Sequence, residues 1–496
     1  MSSSHLSPEP RAGDLGLRAA QTSQTSRAEQ AGIDASTRVP VVLFLLFAVC
    51  WLLSGGALQL LASTQAHTPD FLSNCEWFTF GRIYPAAQNA LVYGWGFNAA
   101  FAVGLWLMAR LSCAALRHGG WLVVAALFWN AGVKLGVLAI LTGASTSVAL
   151  LEMPRLTVVL LLVAYSLIAV WGVTDFSQRN TGHVFASQWF LLGAAFWFPW
   201  LYSLAQIMLF KAPARGVMQA IVGAWYVQGL YGLFFVPAAL AAAYYLIPKV
   251  LGQPLRHYYL AGFGFWWLVL VLPLLGGTRL VGAPVPAWVP TVGVVAGFLL
   301  VVPLLVIAFN LLGTVAGRFD RVRASTTLSF IVGSVVFLLL WGALHCVTSL
   351  RAVAAHFQLT LAQEGMDWLL FYGVFSFAMF GAIYFLVPRL LLREWPSAML
   401  VWTHWTAAIL GVIAVVVVLS LGGDRQGQLL QTPAVPFTAV AQDVAAWLVA
   451  RSVGLMLIAI GHVALLVNLV WMLGQRRPEN AAALFRNPPA LEAPQA

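Results

Sequence analysis

Few residues of this 496-residue chain could hold a metal or move a proton: nine His, four Cys and sixteen Asp or Glu. Neutral imidazole is the most versatile ligand for first-row metals, so the placing of the histidines carries the most information. His5, His67, His118, His183 and His257 fall in polar tails or loops, and His356 in a loop before a late apolar stretch, where solvation explains them. His345, His404 and His462 lie within or at the ends of apolar stretches. An ionisable group deep in such a stretch is costly, which makes His462 a candidate for function; an imidazole satisfied by a neighbouring helix is the simpler reading. Lys134 and Arg451 are similarly placed and read either as part of a proton or anion pathway or as a snorkelling side chain or interhelical partner. Cys50, Cys75, Cys113 and Cys346 form neither a C-x-x-C motif nor a Cys/His cluster, which argues against zinc or iron-sulfur chemistry. Only Cys75 and Cys346 could plausibly pair.

The elements that must position these residues follow from composition. Hydrophobic residues make up 61% and charged residues only 8%, against the ~25% charged expected of a soluble domain. Most of the surface must therefore face lipid. Twelve apolar stretches can cross a ~30 Å hydrocarbon core, and with no water there to satisfy the backbone they must be helices. They run over 40–62, 87–111, 120–143, 156–174, 186–210, 221–247, 259–276, 287–313, 326–347, 367–390, 397–421 and 444–473. Residues 1–38 read as a disordered tail without a cleavable signal, 39–474 as the membrane domain, and 475–496 as a second tail. Of 26 Lys and Arg, 17 fall on the side that holds both tails, which makes that side cytoplasmic. The charge of +10 marks these loops; no basic stripe interleaved with aromatics suggests nucleic acid. The 21 Trp are explained by interfacial belts and packing. No internal repeat is visible, which disfavours a two-half transporter.

Several segments are more specific. They are TFGRIYPAAQN (79–89), AWYVQGLYGLFFVPAALAAAYYLIPKV (224–250), GGTRLVGAPVPAW (276–288) and FYGVFSFAMFGAIYFLVPRL (371–390), the last followed by Arg393, Glu394 and Trp395. With them the chain resembles subunit I of the cbb3-type cytochrome c oxidases, a branch of the haem-copper oxidases, from about Leu45 to Leu473. The resemblance implies a twelve-helix all-α membrane fold in a bacterial inner membrane, and a family site of two haems and copper B. Six His hold these groups: one in the second helix and one in the tenth clamp a low-spin haem, another in the tenth holds a high-spin haem, and three in the sixth and seventh hold copper. A cross-linked Tyr stands in the seventh.

At those places this sequence differs. After Thr79, Phe80, Gly81, Arg82 and Pro85, the second-helix ligand position holds Ala87. The Trp-Tyr-x-His of the sixth helix is met by Trp225, Tyr226, Val227 and Gln228, and the adjacent His pair of the seventh by Thr278 and Arg279. The Tyr position holds Leu272, and the His-x-His of the tenth is met by Met366 and Trp368. A guanidinium cannot ligate copper and repels a nearby cation. The expectation is therefore a chain with no cofactor of its own: a non-catalytic paralogue beside other respiratory-complex subunits, such as membrane cytochrome c subunits or a ligand-complete subunit I. Two alternatives stay open. One is a terminal oxidase with unorthodox ligands drawn from Met366, His345 or His462. The other is a channel or transporter reusing an emptied cavity lined by Gln228, Thr278, Arg279 and Asp367.

Overall fold

A computed structural model describes residues 12–180 and 183–475, with side chains from residue 28 onward. Twelve helices are long and apolar enough to cross a membrane, as expected. They are α1 (Ala12–His67, with Ala28–His67 as its spanning part), α2 (Phe80–Ser112), α3 (Gly119–Leu141), α4 (Arg155–Ser177), α5 (Ala186–Lys211) and α6 (Val217–Leu251). After them come α7 (Leu260–Leu280), α8 (Trp288–Val315), α9 (Thr326–Thr348), α10 (Leu361–Leu391), α11 (Ala398–Leu430) and α12 (Phe437–Gly474). No strand occurs among the described residues.

The expected amino-terminal tail is corrected in part. Residues 1–11 lie outside the described residues, but α1 begins at Ala12. Within the stretch expected to be disordered, Ile33 and Thr37 are buried, Asp34 accepts a 2.9 Å hydrogen bond from Trp106 Nε1, and it pairs with Arg110 at 3.1 Å. The stretch has little apolar content, yet the end of α2 supplies the partners that order it. Residues 476–496, most of the expected second tail, lie outside the described residues.

Three helices, α2, α6 and α10, are almost wholly buried, whereas the other nine bury about half of their apolar length or less. These three share a build. Each contains a π-helical segment, Ala90–Gly96, Tyr231–Phe235 and Leu369–Ser376. Each continues as regular helix (Phe97–Ser112, Val236–Leu251, Phe377–Leu391) and ends on a left-handed residue, Cys113, Gly252 or Leu392. A cation stands in each last turn: Arg110, Lys249 and Arg389. The repeat is one of backbone form. In the sequence it shows as a Tyr-Gly in each π segment (Tyr93-Gly94, Tyr231-Gly232, Tyr372-Gly373) and as the matching Leu246 to Lys249 (LIPK) and Leu386 to Arg389 (LVPR).

Side chains satisfy carbonyls in and beside the π segments, as buried backbone groups demand. Trp129 Nε1 donates to Tyr93 O at 2.9 Å, Asn98 Nδ2 to Gly94 O at 2.6 Å, and Ser334 Oγ to Val374 O at 2.7 Å. Between the three helices the core is aromatic. Phe97 stacks on Phe234 with centroids 4.2 Å apart, Phe235 packs edge-on to Phe371 at 5.2 Å and Phe375 at 4.7 Å, and Trp95 stacks on Phe380 at 5.1 Å.

Candidate functional site

The positions aligned with the family's ligands lie on α2, α6, α7 and α10, three of which are the buried helices with π segments. Ala87 is fully buried in α2. Trp368 of α10 lines a cavity of about 20 Å³ with Gln59, Leu91, Tyr372 and His462. That volume holds about one water and leaves no slot for a macrocycle. Met366 is partly buried against the same core.

On α6, Gln228 is buried and its Nε2 has no partner among the described residues. Gly276 of α7 lies against it: a Cβ there would come within 2.9 Å of Ala224 O and 3.3 Å of Gln228 Cβ. Leu272 is buried against Gly232 in the π segment of α6. The Thr278 hydroxyl donates to Leu275 O of its own helix at 2.7 Å. Arg279 holds Asp367 through both guanidinium nitrogens, Nη1 to Oδ2 at 3.1 Å and Nη2 to Oδ1, while Gln358 donates to the Arg279 carbonyl. Asp367 thus neutralises the charge expected to repel copper, and that guanidinium is not free to receive an anion in an emptied cavity.

The three buried histidines divide. His462 Nε2 meets Tyr372 Oη at 2.8 Å, and His404 Nδ1 meets Tyr384 Oη at 2.9 Å. Their rings are 6.2 Å apart, and Phe380 packs against both. His345 is buried beside Trp341, its Nε2 without a partner among the described residues. Arg451 takes the interhelical role: it grips Glu364 at 2.9 and 3.1 Å and donates from Nε to Ser63 Oγ at 3.1 Å, joining α12, α10 and α1. Lys134 is exposed on α3, the snorkelling disposition. All four cysteines are free; Cys346 Sγ donates to Gly297 O at 3.1 Å and Cys75 is exposed, so the suggested pair does not form.

Sequence reasoning missed Glu364, which lies three residues before Asp367 and so near the same helix face. It also missed Glu152, whose Oε2 accepts from Asn89 Nδ2 at 2.7 Å in the loop after α3. Burial pushes this carboxyl up from its ordinary value, against the pull of that hydrogen bond. Tyr93 Oη, which donates to Leu150 O, and Tyr226 Oη meet at 2.6 Å nearby. No group of three His, Cys, Asp or Glu that could hold a metal occurs among the described residues.

A bundle of twelve apolar helices around three buried, π-bulged helices defines an integral membrane protein of the haem-copper oxidase subunit I fold. The sequence profile described as cytochrome c and quinol oxidase polypeptide I matches residues 39–457, and the chain belongs to that family. It is 25% identical over 405 residues to a cytochrome c oxidase subunit 1 homolog of Azorhizobium caulinodans, covering 78% of this chain and 72% of that protein. It is 23% identical over 402 residues to a cbb3-type cytochrome c oxidase subunit of Stutzerimonas stutzeri, covering 77% of this chain and 82% of the relative. Among solved structures, a heme-copper terminal oxidase dimer seen by cryo-electron microscopy matches with a TM-score of 0.61 at 14% identity, over 91% of this chain and 85% of that one.

Proposed function

We propose that this chain is a non-catalytic subunit I, a membrane scaffold within a bacterial respiratory complex that binds neither haem nor copper B itself. The observation that supports this is the donor chemistry at the positions aligned with the family's ligands. Ala87 has no donor, Gln228 offers a neutral amide, Thr278 spends its hydroxyl on its own helix, and Arg279 is locked to Asp367. Trp368 fills the place of an imidazole beside a cavity of about 20 Å³. Such a set does not fit two haems and a copper ion, which need converging imidazoles from different helices. What remains is the family's packing surface, which a respiratory complex can use to hold membrane cytochrome c subunits or a ligand-complete subunit I.

The protein purified from its native membrane in mild detergent tests this. A reduced-minus-oxidised spectrum without haem bands and a copper content well below one per chain are expected. Stoichiometric haem b would overturn the reading in favour of unorthodox ligation, for which His345 and His404, each with a buried Nε2 that has no partner among the described residues, are the candidates. Loss of that spectrum on His345→Ala or on His404→Ala, and its survival on His462→Ala, would then identify the ligand.

A further inference from the structure

At the end of the bundle that carries the three last-turn cations, a cavity of about 440 Å³ opens between α2, α5, α6 and the loop that follows α6. Its walls are largely apolar, with Leu111, Phe185, Tyr245 and Leu255 among them. Two polar groups stand in it without partners among the described residues. The Ser187 side chain is 3% exposed, lines the cavity, and its hydroxyl hydrogen-bonds to no described residue. It sits in the first turn of α5, where the helix dipole favours a negative charge. Lys249 lies on the same cavity, exposed at its rim and in no ion pair among the described residues. Its charged neighbours Arg110 and Arg389 are also cations. Asp34, the carboxylate that acts on Arg110 and Arg389, is taken by Arg110. The site is therefore short of negative charge.

Size and depth identify the occupant. Inorganic phosphate would occupy a small part of the space and leave the apolar walls wet, whereas a mostly apolar cavity of this volume with a few polar groups suits an amphiphile. Ser187 and Lys249 lie at the ends of their spanning helices, the level of the lipid headgroups, where cationic clefts between helices select anionic lipids. We propose that this cavity binds an anionic phospholipid, its phosphate between Lys249 and Ser187 and an acyl chain along the apolar wall. The proposal is independent of whether the chain holds haem.

Binding to the full-length protein in detergent is measured for phosphatidylglycerol, for phosphatidylcholine with the same chains, and for inorganic phosphate. Phosphatidylglycerol is expected to bind more tightly than phosphatidylcholine, and Lys249→Gln to weaken it about fivefold, the equivalent of ~1 kcal/mol per basic residue. Lys249→Arg should keep the affinity, and Arg425→Gln at the opposite end should leave it unchanged. Equal affinity for the two lipids, or no change in Lys249→Gln, overturns the proposal. Displacement of the lipid by millimolar phosphate marks a free-anion site instead and overturns the lipid assignment. If Lys249→Gln does not fold, photoactivatable phosphatidylglycerol on the unaltered protein decides: labelling of residues 185–187 and 244–258 supports the site, and labelling only elsewhere refutes it.

Discussion

Arg451 illustrates how a lone charge in an apolar sequence is resolved by residues that the sequence does not mark. Its side chain is 4% exposed, and its partner Glu364 is 19% exposed. Breaking such a pair by removing one member leaves the other charge buried and unpaired, whereas replacing both with apolar residues is often neutral. Arg451→Leu should therefore lower stability by about 3–5 kcal/mol, seen as a lower thermal midpoint in detergent, while Arg451→Met combined with Glu364→Leu should recover most of the loss. Additive losses in the double variant would show that the pair is not coupled. Glu152 yields a pH dependence. Burial raises its folded pKa above 4.5, so between 4.5 and the folded value the native state holds the proton more often than the unfolded chain. Its contribution to stability is complete below 4.5, falls as pH rises through that window, and is flat above it. Glu152→Gln removes the penalty, so the variant's thermal midpoint should gain on the parent's from pH 4.5 upward. A constant difference between pH 4 and 7 would refute this. The reading of the ligand-aligned positions rests on flanking motifs such as Thr79 to Pro85 and Trp225 to Tyr226. The partners were not legible: Asp367 lies 88 residues from Arg279, and Glu364 lies 87 from Arg451.

Among the elements, helix number and order were legible because lipid imposes one length and one hydropathy on every span. The π segments were not, since they depend on donors from other helices such as Trp129 and Ser334. Helix ends were also misjudged where packing continues beyond the apolar stretch: α11 was expected to end near 421 and runs to Leu430, and α12 was expected to start near 444 and begins at Phe437. These two helices pack closely because glycines lie between them. A Cβ on Gly411 would approach Ile458 Cγ1 to 2.6 Å and Gly454 O to 3.0 Å. Without a hydrophobic drive between helices in lipid, such close approach supplies much of the association. Gly411→Ala should cost about 1–3 kcal/mol through overpacking. Gly172→Ala is the control: nothing lies within 4 Å of its added Cβ in α4, and the lower entropy of the unfolded chain should leave stability unchanged or slightly raised. Equal thermal midpoints for the two variants would show that the α11–α12 contact is not tight.

At the scale of the whole molecule, the three buried helices and the distribution of charge together specify an orientation. The last-turn cations Arg110, Lys249 and Arg389 stand at the same end as the loop carrying Arg318, Arg321 and Arg323. The ion pairs Arg279–Asp367, Arg451–Glu364 and Arg425–Asp443 stand toward the other. Lys and Arg in short loops and near span ends resist translocation, and the carboxylates beside them change this little. The end with the richer share of Lys and Arg, where Arg110, Lys249, Arg389 and the Arg318 to Arg323 loop stand, is thus expected in the cytoplasm, and the free cysteines can report it. Cys113 follows α2 at that end and Cys75 precedes α2 at the opposite one; both are exposed. In variants that keep only one cysteine, a membrane-impermeant thiol reagent applied to intact spheroplasts should label Cys75 at once and Cys113 only after permeabilisation. The reverse order would invert the topology, placing the proposed lipid cavity beside Lys249 in the outer leaflet and the Arg451 network toward the cytoplasm.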